Sequence, residues 1–146
     1  MIKININLLW IVLITATMMP GSFSNLKLGF GQQNETAEGN VESNKFVNYL
    51  ENARDLINQS SVEYKSGNFT GAQELVNTAY LDNFEYVEGV LEEKGQNSLM
   101  DDLEQMMRED LRKLLQDRAD QSEVDMHINA TDSKLVEAIE LVKDTK

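Results

Sequence analysis

The chain has 146 residues, enough for one domain, and carries 25 Asp and Glu against 13 Lys and Arg, a net formal charge of -12. That acidic excess argues against a binder of the phosphate backbone of nucleic acids, which needs clustered Lys and Arg. With no cysteine, the chain has no disulfide, no thiolate nucleophile, no Cys-type zinc site and no iron–sulfur cluster, so the fold must rest on its core.

Lys3 stands before an apolar run from Leu8 to Met19, which Pro20-Gly21 breaks and the small residues Ser22 and Ser24 follow. This order reads as a signal peptide over residues 1–24, cut after Ser24. The alternative is an uncleaved N-terminal anchor. The run falls short of the roughly 20 apolar residues that span a bilayer. No second such run follows, so the remainder is expected to be secreted or extracytoplasmic and not membrane-spanning. Asn34, Asn58, Asn68 and Asn129 each begin an Asn-x-Ser/Thr triplet, which suits an exported chain.

Residues 25–41, with three glycines and no sustained apolar period, read as a flexible linker. A helical domain is expected over 42–146. The spacing predicts a first helix from about Ser43 to Lys65, with Phe46, Leu50, Ala53, Ile57 and Tyr64 on one face. Gly67 is placed to end it in the left-handed conformation. A second helix is predicted from about Thr70 to Glu93, on the stripe Val76, Tyr80, Phe84, Val87 and Leu91. Thr70 to Glu74 comes within one residue of a capping box. The third runs from about Ser98 to Arg118, with Leu99, Leu103, Met106, Met107 and Leu114 inward. The fourth runs from about Ser122 to Asp144. Its Val124, Ile128, Thr131, Leu135, Ala138 and Val142 alternate steps of four and three, the mark of near-antiparallel packing.

Nothing in the sequence alternates with period two over a strand length. Short connections set successive helices antiparallel. The expectation is therefore an all-α fold, an up-down-up-down antiparallel four-helix bundle.

Chemistry is sparse. Asp82, Glu85 and Glu88 are spaced three apart, and each such step turns the helix back by about 60°, toward the apolar stripe. Glu88, between Phe84 and Leu91, lies closest to the core. Carboxylates at this spacing suit a hard cation; ion pairs with Arg54, Arg108 or Arg112 are the commoner arrangement for half-buried acids. Asp110 falls in line with Leu103, Met107 and Leu114, so it either needs a partner or marks a misphased helix. His127 is the only histidine, four residues after Glu123. It reads as a boundary residue, or as half of a metal pair with Glu123. A ferritin-type di-iron centre needs two Glu-x-x-His motifs and is excluded. Without a nucleophile, a phosphate-cradling loop or a histidine pair, the sequence argues against an enzyme.

Two stretches, Tyr64-Lys-Ser-Gly67-Asn68-Phe69-Thr-Gly-Ala72 and Ala79-Tyr80-Leu81-Asp82-Asn-Phe84-Glu85-Tyr-Val-Glu88, resemble the extracytoplasmic helical domain of prokaryotic FTR-type iron permeases. The resemblance covers roughly residues 45–142. It implies a bundle outside the membrane, linked to iron uptake, with iron or another hard cation held by Asp82, Glu85, Glu88 and Glu104. A membrane permease or another extracytoplasmic protein would be the partner. The permease's own transmembrane helices, with their Arg-Glu-x-x-Glu motifs, are absent from this sequence, so the expectation is an accessory or sensing relative rather than the transporter itself. Two readings stay open: a binding module for iron or a similar cation, and a non-metal interaction or sensory bundle whose acids serve in ion pairs.

Overall fold

The apolar stripes fold the chain into four helices around one core. The computed structural model describes the backbone of residues 35–143 and the side chains of residues 44–143. The proposed signal peptide and most of the proposed linker lie outside the described residues. Helix α1 is Glu35–Lys65. Helix α2 covers residues 69–93, running as Phe69–Ala79, a π-helical turn Tyr80–Phe84, and Glu85–Glu93. Helix α3 covers residues 97–117, again with a π-helical stretch, Gln105–Leu111, between Asn97–Glu104 and Arg112–Asp117. Helix α4 is Gln121–Lys143. No strand occurs among the described residues.

Helix α1 begins earlier than the stripe predicts, so residues 35–41 are helical. Once a helix is nucleated, each added residue gains a hydrogen bond. The amphipathic stretch from Phe46 onward supplies that nucleus, and flanking Glu and Ala extend it despite Gly39.

Helices α1 and α2 end in the same device. Gly67 has φ +87° and Gly95 φ +71°, values that suit glycine because it lacks a Cβ. At the first end, Asn68 N–H donates to the Glu63 carbonyl and Gly67 N–H to that of Tyr64. At the second, Gln96 N–H donates to Leu91 and Gly95 N–H to Glu92. Both are Schellman closures, which satisfy carbonyls the helix leaves open. Helix α3 turns at Arg118, a non-glycine residue at φ +55°, and Ala119 N–H donates to the Leu114 carbonyl. The Arg118 guanidinium lies 4.4 Å from the centre of the Phe69 ring, a contact that offsets part of the strain. Helix α2 is capped by Asn68, whose side chain accepts from Gly71 N–H at 3.1 Å, and not by Thr70.

Leu50, Ala53, Ile57 and Tyr64 of α1 are buried, as are Val124, Ile128, Thr131, Leu135, Ala138 and Val142 of α4. Helix α3 departs from its predicted face. Leu111 and Leu115 are buried with Leu99, Leu103 and Met107, whereas Met106 and Leu114 are half-buried. The buried residues recur every four positions. In an ideal helix each such step drifts by about 40°. The wider π turn rotates less per residue and removes part of that drift. Asp110 therefore lies beside the core rather than in it, and accepts from Gln105 Nε2 at 2.9 Å.

Polar bonds tie α1 to α4, and to the turn just before it, in falling register. Arg54 donates from Nε and Nη2 to the Asp132 carboxylate at 2.9 and 3.1 Å, Ser61 Oγ donates to Asp125, and Tyr64 donates from its phenol to the Ala119 carbonyl at 2.7 Å. The Ser61 and Gln121 bonds hold the Asp125 carboxyl below the usual carboxylate range. The buried Ser60, Asn83 and Thr131 bond to backbone carbonyls of their own helices. Among the described residues no buried side-chain nitrogen or oxygen lacks a partner.

Candidate functional site

The π turn of α2 and the start of that in α3 bring four polar side chains together. Tyr80 opens the first turn; Glu104 precedes the second and Arg108 lies within it. The Tyr80 phenol donates to Glu88 Oε1 at 3.0 Å. Arg108 Nη1 donates to Glu104 Oε1 at 2.8 Å, and its guanidinium sits 5.8 Å from the centre of the Tyr80 ring. A second, looser contact joins Arg108 to Glu109 at 3.8 Å.

The electrostatics follow from this packing. Burial pushes the Glu88 carboxyl up, and the negative charges of Glu104 and Glu85 add to the effect. The Tyr80 bond and the Arg108 charge oppose it. Burial also lifts the Tyr80 phenol, to about 12, and the bond to Glu88 reinforces that shift. The Glu104 bond raises Arg108, which stays cationic.

Of the four predicted metal-ligating residues, the structure places Glu88 and Glu104 half-buried on this face and leaves Asp82 and Glu85 exposed. Among the described residues no group of three or more His, Asp or Glu is arranged to hold a metal ion. The arginines divide differently from expectation. Arg108 serves this face, while Arg54 bonds Asp132 of α4 and Glu51 of its own helix. His127 is half-buried and its Nε2 lies 2.8 Å from the Met106 carbonyl oxygen. A carbonyl only accepts, so Nε2 carries the proton and is committed to α3.

Sequence reasoning reached Tyr80 only as a core residue and missed its hydroxyl, which is the hydrogen-bond donor of the site. It also missed Asn83, buried within the π turn with its amide donating to the Thr78 carbonyl at 3.0 Å. An Asn between two apolar stripe positions was the available signal.

The turn that carries part of the permease resemblance has a physical role at each named position. Tyr64 bonds Ala119 and meets Phe69 edge-on at 5.1 Å between ring centres, Gly67 closes α1, and Asn68 caps α2. Within the described residues no helix is long and apolar enough to cross a membrane. Compared with known protein families, curated proteins and solved structures, the chain matches none.

Proposed function

We propose that this chain is an exported helical interaction module, an up-down-up-down antiparallel bundle without enzymatic activity, whose acidic residues serve in ion pairs and hydrogen bonds. The observation that carries this reading is the pairing on the α2–α3 face. Arg108 bonds Glu104 and Tyr80 bonds Glu88, so both half-buried candidate carboxylates already have a donor. The antiparallel arrangement draws support from the falling register between α1 and α4. A partner surface draws support from α2, where Leu81 and Tyr86 stand exposed and Tyr86 stacks on Tyr49 at 5.0 Å.

A second reading rests on Glu88. A carboxyl raised by burial and by two neighbouring carboxylates is relieved by a bound cation as well as by a proton. Tyr80, Glu88 and Glu104 offer hard oxygen donors, the kind that iron in its ferric state takes. On this reading the chain is an accessory of a membrane iron permease, in line with the resemblance.

Calorimetric titration of the full chain with ferric chelate, with ferrous ion under anaerobic conditions and with Ca²⁺ separates the two. The interaction reading expects no saturable iron binding. Stoichiometric iron binding that disappears in the Glu85→Gln/Glu88→Gln double variant would overturn it in favour of the cation module.

A further inference from the structure

The seam between α3 and α4 is bonded over one half and open over the other. Lys134 Nζ donates to Asp102 at 2.8 Å and His127 Nε2–H to the Met106 carbonyl at 2.8 Å. Toward the turn at residues 118–120, the same two helices border a groove of about 630 Å³. The small side chains of Ala119 and Ala130 leave room there, and Leu114 and Met126 give it apolar walls. Met126 is 67% exposed.

The rim is charged with one sign in excess. Asp110, Asp117 and Glu123 border the groove, against the single ammonium of Lys113, and Lys113 is already paired with Asp117. His127 also lines the groove. Because Nε2–H is given to the Met106 carbonyl, Nδ1 is the ring's acceptor in the neutral form.

We infer that this groove binds a small organic cation with an apolar body, its ammonium or guanidinium group at the Asp110 and Glu123 rim and its hydrocarbon part against Leu114 and Met126. The volume lies inside the range of about 300–1,000 Å³ typical of small-molecule sites. The length argues for a small molecule over a docked helix. Asp110 to Asp117 spans seven residues, about 10 Å of helix, or two turns. This inference does not depend on the α2–α3 face, because none of its residues contacts Tyr80, Glu88 or Glu104 through a bond described above.

The test is titration of the full chain with 4-phenylbutylammonium, followed by amide chemical shifts and calorimetry. The uncharged 4-phenylbutanol and methylammonium serve as controls. Expected is saturable binding at low millimolar concentration or tighter, with shifts centred on residues 110–130. Both controls should bind at least roughly tenfold more weakly, a difference of about 1.4 kcal/mol. Asp110→Asn/Glu123→Gln should weaken the cation by a similar factor, and Ala130→Phe, at an exposed position, should block it without changing the melting temperature. Equal binding of the alcohol, equal binding of methylammonium, shifts centred elsewhere, binding unaltered in both variants, or no saturation overturns the inference.

Discussion

Tyr80 and Glu88 lie eight residues apart on one helix, and the phenol of the first donates to the carboxylate of the second at 3.0 Å. In an ideal α-helix, positions eight apart differ by about 80° around the axis. The π turn over Tyr80–Phe84 rotates less per residue, which reduces that offset and brings the two side chains to one side. The bond is thus a product of the irregular turn.

Tyr80→Phe removes the donor and leaves Glu88 without it. At neutral pH the loss is expected to be about 1 kcal/mol, since Glu88 is half-exposed. The alkaline limb is more diagnostic. The folded phenol titrates at about 12 against 10.0 for the free group, so the native state holds its proton more tightly. That contribution is complete below pH 10 and lost as pH rises from 10 through about 12. Denaturant unfolding across this window should show a shallower decline in the variant; identical declines would show that the phenol is not held by the fold.

Phe84 closes the π turn of α2 and is completely buried. Phe84→Ala should cost about 3–5 kcal/mol through lost transfer energy and a residual cavity. A loss under about 1 kcal/mol in urea unfolding would mean that the ring does not fill the core.

A π turn accommodates a residue that a regular helix would not. Deleting the exposed Glu109 within Gln105–Leu111 should let α3 relax toward α-helical bonding while the buried residues on either side keep their faces. Deleting the equally exposed Glu137 in the regular α4 should rotate Ile139 and Val142 by about 100° away from the core. The first variant is expected to stay folded with a modest drop in melting temperature, and the second to lose its cooperative transition. Similar melting curves would refute the contrast.

Arg54 and Asp132 meet through two nitrogens and two oxygens, with side chains 27% and 24% exposed. A planar two-point pair at this depth is stronger than a surface pair. A double-mutant cycle of Arg54→Met and Asp132→Ala should give a coupling of about 1–2 kcal/mol. A coupling of a few tenths would place the pair with ordinary surface ion pairs.

The stripes of α1 and α4 were legible because their steps alternate between three and four, the spacing a regular helix satisfies. In α3 the buried residues from Leu99 to Leu115 are spaced uniformly by four. A reading at 100° per residue places Leu114 and Met106 on the inward side, and only the π stretch corrects it. The apparent oddity of Asp110 in line with Met107 was the trace of that correction. At the candidate site, the position of Glu88 beside the core followed from its apolar neighbours. The proximity of Glu104, and the bond from Tyr80, depend on how two helices meet and on a local unwinding that no periodicity encodes.

The bonds from α1 to α4 and to the turn before it also bear on how the domain comes into being during synthesis. Arg54 and Asp132 are separated by 78 residues, Ser61 and Asp125 by 64 and Tyr64 and Ala119 by 55. A chain leaving the ribosome from its N-terminus exposes the polar and apolar flank of α1 long before residues 119–132 exist to cover it. Helices α1 to α3 can pair as they emerge, but the seam closes only with the last helix, and contacts at such separation form slowly. A chain truncated within α4 therefore lacks the helix that closes this seam.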